Sequence, residues 1–410
     1  MRDPSSDVGR YLAGLDGLRG LSCMGVLVAH TIAHFTPTTV PAAIPAVLVQ
    51  GLTVFFVMSG MLIYLPFVRD IANGTRRNTV RHYAIRRLMR IYPIYVVIFV
   101  IVNWGLRASY LSNQAEVAVR ASDAGTGVMA APVDLALNVS LLSTFVPDTL
   151  QTGIPPAWSL TTELTFYAAL PLLAAVPLWL AGRGSINRMA LALAAPLGLL
   201  VVGLAGRAWA EALYARGGYG SMSIAEFGPN GLAVLTRSLL VFGDNFALGM
   251  VVAVLFVWTE RGQLQRWTPR VATGAAVACL AAGAVAALVL KDPHHWFYGS
   301  ATGVVAAGLI ALAVDPPARG AASRFTRLTG RGPWRYLGEI SYSVYLWHLP
   351  VIILYSRWGF FQTDGWTTLI VACLAVTAVS IGLGAVSFRW VERPAMELAA
   401  QLAGKSSARR

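Results

Sequence analysis

The chain has 410 residues, 56% hydrophobic and only 12% charged, with a mean hydropathy of +0.61. A soluble protein would carry about a quarter charged residues, so a soluble globular fold is excluded. The net charge of +13 does not point to nucleic acid, because the basic residues, Arg almost throughout, cluster in short loops between apolar runs. That is the distribution of the positive-inside rule.

Apolar runs of about twenty residues, the length that crosses a bilayer core, recur along the chain. They predict an all-α polytopic membrane protein with ten spans, at 17–36, 44–68, 91–109, 158–181, 189–213, 234–258, 271–290, 296–314, 338–356 and 366–388. The first run is no cleavable signal, since Arg19 and His30 interrupt it. The segment 134–146 is too short to cross and is expected to be re-entrant or interfacial. With both termini cytoplasmic, 24 of the 32 Lys and Arg fall on the inner face. Residues 1–395 form one transmembrane domain, and 396–410 a polar cytoplasmic tail. Cys23, Cys279 and Cys373 lie in apolar segments and read as small core residues, neither disulfides nor metal ligands. No metal site is expected. "DPHHW" at 292–296 is expected to be a loop, since two adjacent histidines lack further ligands at metal spacing. "GKS" at 404–406 lacks the first glycine of a phosphate loop.

The first span raises the functional question, because "LDGLRGLSCMGVLVAHTIAHF" (15–35) carries Arg19, His30 and His34. Ionisable groups at membrane depth are expensive and mark sites. Arg19 and His30 are eleven positions apart, which returns them to one helix face within about 20°, separated by about 16 Å along the axis. His34 follows on the same stripe, either touching an acceptor or facing water at the interface. Taken alone, Arg19 could snorkel and His30 could make an interhelical hydrogen bond.

Six segments decide between these readings. Arg, ten residues, then His inside "LDGLRG…H" resembles the start of membrane-bound acyltransferase family 3, the bacterial O-acyltransferases. "FFVMSGMLI" (55–63), "RRLMRIYP" (86–93), "WSLTTELTFY" (158–167), "ISYSVYLWHLPV" (340–351) and "WVERP" (390–394) resemble further family segments, in order, across nearly the whole chain. Leu164 and Thr165 stand where the family commonly has a second acid and a Gln, so only Glu163 carries over. No hydrolase-like domain follows the last helix, which points to the shorter, stand-alone form.

The resemblance implies transfer of an acyl group, expected to be acetyl, from cytoplasmic acyl-CoA to a hydroxyl of a sugar, glycolipid or macrolide-type acceptor. Arg87 and Arg90, at i and i+3 on the inner end of the third span, suit the donor phosphates, since guanidinium groups bind phosphate bidentately. Arg19 would continue that site. His30 would be the general base, by direct attack or through an acyl-histidine. Counted from the span ends, Glu163 and His348 reach the depth of His30. Glu163 would then orient His30 or stabilise its cation, and His348 would orient substrate or donate to an oxyanion. Trp158, Ser159, Ser341 and Tyr345 would line the cavity. The expected partners are acyl-CoA, the acceptor and membrane lipid, with oligomeric state left open. A transporter of a lipid-linked saccharide is the alternative, although no repeated halves are visible.

Overall fold

A computed structural model describes residues 12–76, 80–113, 115, 122–183, 187–264, 269–290, 296–314 and 324–407. The loop expected at 292–296 lies outside the described residues except for Trp296.

The polypeptide is a helical bundle. Helices α1 (Ala13–Phe35), α2 (Ala43–Leu48), α3 (Gly51–Asn73) and α4 (Val80–Val100) build the first third. After α4 come a π turn (Ile101–Gly105), a two-residue hairpin of β1 (Ser109–Tyr110) and β2 (Thr126–Gly127), and α5 (Pro132–Val139). Then follow α6 (Trp158–Ala181), α7 (Arg188–Ala215), α8 (Met222–Phe227), α9 (Gly231–Thr236) and α10 (Leu239–Glu260). The last third holds α11 (Pro269–Leu290), α12 (Tyr298–Ala313), α13 (Arg324–Thr329), α14 (Gly332–Arg357), α15 (Trp366–Ser387) and α16 (Arg393–Ser407).

Eight of the described helical stretches are long and apolar enough to cross a membrane, and the chain is a multi-pass membrane protein. The other two expected spans correspond to α4 and α12. Helix α4 begins eleven residues before its expected start, so its first turns carry Arg81, Arg86, Arg87 and Arg90. Helix α12 has only 16 residues. Residues 134–146 form α5 and a single 3₁₀ turn, too short to cross. The span expected at 234–258 is broken between α9 and α10, where the Ser238 hydroxyl caps α10 by accepting from Leu240 N. Arg237 therefore sits in a break and not in a helix interior. The segment 396–407 continues α16, which packs Ala395, Ala399 and Ala403 inward, the helix lying against α4. Cys23 is buried, but Cys373 is half-buried and Cys279 is exposed on α11, so the expectation of core positions holds for Cys23 alone. Helix α11 packs against α12 and is otherwise largely exposed among the described residues, as suits a lipid-facing helix.

Close approach of backbones positions the site. Helices α1 and α14 run parallel. Cys23 Sγ donates to Ser341 O at 3.3 Å, His30 meets His348, and His34 meets Ser356, at sequence offsets of 318, 318 and 322. A Cβ on Gly338 would overlap the Asp16 carbonyl, and one on Gly249 would overlap that of Val57. Small residues of this kind let membrane helices touch. Helices α7, α10 and α12 are joined by a buried ion pair. Arg207 Nε and Nη2 donate to Asp244 Oδ2 and Oδ1 at 2.8 and 3.0 Å, Arg207 Nη1 to Trp296 O at 2.6 Å, and Ser300 Oγ to Asp244 at 2.5 Å.

Removing one partner of a buried pair strands the other charge, at roughly 3–5 kcal/mol. Arg207→Ala is therefore expected to lower unfolding stability in detergent by about that amount. The Arg207→Ala/Asp244→Ala double variant should lose less than the two single losses summed, which a double-mutant cycle measures.

Candidate functional site

Two cavities lie side by side in the bundle. The first, of about 80 Å³, is lined by Arg19 of α1, Arg87 and Arg90 of α4, Ser59 of α3, Glu163 and Tyr167 of α6, and Ser341 and Tyr345 of α14. Among the described residues its lining charges are three guanidinium groups against one carboxylate. The arginines converge because they sit at the same end of the bundle. Arg19 is in the second turn of α1, with Asp16 3.8 Å away, and the α4 pair shares one helix face. Arg87 rests over the Tyr83 and Tyr167 rings at 5.9 and 5.8 Å from their centroids. Glu163 Oε1 accepts from Ser59 Oγ and Tyr167 Oη, each at 2.6 Å.

The second cavity, of about 890 Å³, is lined by His30, Gln50, Trp158, Glu226, Phe227, Arg237 and Tyr345 among others. Arg237 lies between the Phe227 and Trp158 rings, at 4.4 and 5.3 Å from their centroids, and donates to the Glu226 carbonyl. The loop between α4 and α6 roofs this cavity, with Tyr110, Gln151 and Pro156 in the lining. Arg357 at the end of α14 fastens that loop by donating to Asp123, Leu106 O and Arg107 O at 2.7, 2.6 and 2.8 Å.

Between the helices stands a histidine pair. His30 Nδ1 and His348 Nε2 are 2.8 Å apart, with ring planes 8° from parallel. His348 Nδ1 lies 2.5 Å from the Tyr345 carbonyl. A carbonyl only accepts, so His348 carries its proton on Nδ1 and accepts at Nε2. His30 must then carry its proton on Nδ1, and its Nε2 keeps the lone pair. Parallel packing of α1 on α14 makes this contact, and the Tyr345 carbonyl, one turn before His348, sets the tautomer.

The structure brings most expected residues to one or other cavity but divides them differently. Arg19, Arg87, Arg90, Ser159 and Ser341 line the first, Trp158 the second, and Tyr345 both. Glu163 does not join His30. It belongs to the arginine cavity, and the hydrogen-bonded neighbour of His30 is His348. The depth count failed because Pro155–Ala157 form a buried 3₁₀ turn against α14, with Tyr345 Oη 3.1 Å from Pro156 O. Helix α6 thus starts inside the bundle, and Glu163 sits about 8 Å further along it, beside the arginines. Neither ring nitrogen of His348 is left to reach an oxyanion, since His30 and Tyr345 O engage both. His34 lines neither cavity, and its Nε2 is 2.6 Å from Ser356 Oγ. Ser59 and Tyr167 were not anticipated. Tyr167 lies at i+4 from Glu163, a spacing that signals contact on a helix, whereas Ser59 is 104 residues away in sequence.

A histidine pair inside the helical bundle, with His30 at the wall of one cavity beside another rich in arginine, marks the candidate site of this polytopic membrane protein. The chain belongs to the acyltransferase family 3, whose profile, described as an acyltransferase domain, matches residues 12–385. The O-acetyltransferase OatA of Staphylococcus aureus is 23% identical over 94% of this chain and 57% of its own length. The peptidoglycan O-acetyltransferase OatA of Listeria monocytogenes is 26% identical over 94% of this chain and 56% of its own. The chain thus spans little more than half the length of these relatives. No solved structure matches it.

The hydrogen-bond pattern is directly observable. ¹⁵N-histidine spectra of the protein in detergent should show His348 protonated at Nδ1 and bare at Nε2. Protonation of His348 at Nε2 in the neutral form would contradict the tautomer assigned here.

Proposed function

We propose that the protein is a membrane O-acyltransferase that moves an acetyl group from acyl-CoA to a hydroxyl of a cell-envelope saccharide. The single observation that carries this reading is the hydrogen-bonded chain His30–His348–Tyr345 O, which leaves His30 with a basic Nε2 at a cavity wall. An alcohol attacks a thioester only when a base takes its proton. His30 Nε2 removes that proton as the hydroxyl oxygen bonds to the thioester carbonyl carbon. The tetrahedral intermediate then expels the CoA thiolate, which recovers the proton from His30. The products are an ester and free CoA thiol. His348 acts through His30: its Nε2 lone pair holds the His30 Nδ1–H and stabilises the imidazolium formed in mid-reaction.

The donor assignment rests on charge. Arg19, Arg87 and Arg90 converge on a small cavity, and forked guanidinium groups suit the phosphates of CoA. The Arg-rich end is assigned to the cytoplasm by the positive-inside bias, the compartment that holds acyl-CoA. Glu163, held by Ser59 and Tyr167, is assigned a positioning role within this cavity. The acceptor assignment rests on the second cavity, whose Trp158 ring and polar groups Gln50, Glu226 and Arg237 suit a sugar, and whose size fits a ligand of that class. The name of the Listeria relative, a peptidoglycan O-acetyltransferase, supports a saccharide acceptor.

Binding of acetyl-CoA to the purified protein tests the donor site. Arg87→Ala/Arg90→Ala should weaken it by roughly tenfold or more, the loss expected for charge-assisted hydrogen bonds. His30→Ala should bind acetyl-CoA about as tightly as wild type, while transfer to soluble peptidoglycan fragments falls about 10²–10⁴-fold. Full activity in His30→Ala would overturn the assignment of the base.

A further inference from the structure

The two cavities share Leu52 and Tyr345 in their linings, while His30 lines the second alone and the three arginines the first. Among the described residues these two side chains form the boundary common to both cavities, and a donor anchored by its phosphates at the arginines meets that boundary on the way to His30. Tyr345 is stapled across that wall. Its hydroxyl lies 3.0 Å from Ser159 Oγ, a residue of the first cavity, and 3.1 Å from the carbonyl of Pro156, a residue of the second. Ser159 Oγ donates to the same carbonyl at 2.9 Å, so the two hydroxyls close on one acceptor. Tyr345 is 6% exposed, with the Phe55 ring centroid 6.4 Å from that of its own ring.

We infer that Leu52 and the Tyr345 side chain form the gate between the donor and acceptor cavities and set which acyl lengths pass. This inference rests on the donor reading given above. The acyl end enters when the Tyr345 hydroxyl gives up its place on Pro156 and Ser159 and the ring swings aside. The opening is bounded by one aliphatic and one aromatic side chain, so each added methylene of the acyl group meets the wall directly. Tyr345 plays two separable parts, because the backbone carbonyl holds the His348 tautomer and only the side chain closes the gate.

The test uses the full chain in detergent with acetyl-CoA and butyryl-CoA, and peptidoglycan fragments as acceptor. Wild type is compared with Leu52→Ala, Leu52→Phe and Tyr345→Phe, each matched to wild type in unfolding temperature. Leu52→Phe should bind acetyl-CoA within about twofold of wild type while kcat for transfer falls at least tenfold. Leu52→Ala should raise the butyryl-to-acetyl ratio of kcat/KM by about tenfold or more, since methylene discrimination in an apolar site spans roughly 10–200-fold. Tyr345→Phe, which keeps the ring and loses the clasp, should raise acceptor-independent hydrolysis of acetyl-CoA. If donor binding is intact, and Leu52→Phe transfers at the wild-type rate while Leu52→Ala leaves the length preference unchanged, the gate is overturned and the donor reading stands. Loss of donor binding in Leu52→Phe would make Leu52 a binding residue and overturn the gate. If wild type binds no acyl-CoA, the donor reading falls and the gate with it. The Leu52→Ala ratio decides the question should Leu52→Phe fail to fold.

Discussion

Everything at the centre of this molecule depends on one packing relation, the parallel contact of α1 with α14. Two helices that begin over 300 residues apart start at the same end of the bundle, and each brings one histidine to the shared face. Glycine makes the contact close enough, since a side chain at Gly338 would collide with the Asp16 backbone. Once the helices are fixed, the geometry of the histidines leaves little freedom. A carbonyl one turn below decides where His348 holds its proton, and His348 decides where His30 holds its own. A ring nitrogen of His30 with a free lone pair is thus a consequence of backbone packing and needs no carboxylate beside it.

The second constraint is the cost of charge in an apolar medium. The structure meets it in two ways. Arg207 and Asp244 neutralise each other, are bonded to Trp296 O and Ser300, and tie three helices together. Arg19, Arg87 and Arg90 are instead gathered around a cavity whose one lining carboxylate among the described residues is already held by Ser59 and Tyr167. The first arrangement consumes its charge internally. The second leaves its guanidinium groups lining a cavity, and this contrast separates a structural ion pair from a candidate anion site.

The helical architecture was legible because apolar runs of membrane length are a strong, local signal. The arginine pair of α4 was legible through its i, i+3 spacing, and the alignment of Arg19 with His30 through the helical period. What escaped was set by tertiary structure. Counting residues from a span's edge assumes that the helix starts at the membrane surface, and the buried 3₁₀ turn before Trp158 breaks that assumption, carrying Glu163 away from His30. The partner of His30 could not be read from spacing either, because it lies 318 residues distant. The break at Arg237 was hidden inside an apolar run, where a capping serine is the only local cue. The start of α4 was misplaced for the opposite reason, since its charged first turns do not look like part of a span.

In the proposed reaction, donor and acceptor occupy different cavities and meet at His30. A cryo-electron microscopy structure of the protein with a non-hydrolysable acetyl-CoA analogue tests it most directly. Phosphates on Arg19, Arg87 and Arg90, with the acyl end at Tyr345 and directed toward His30, are the predicted result. Phosphates bound elsewhere, or an acyl end remote from the histidine pair, would contradict it.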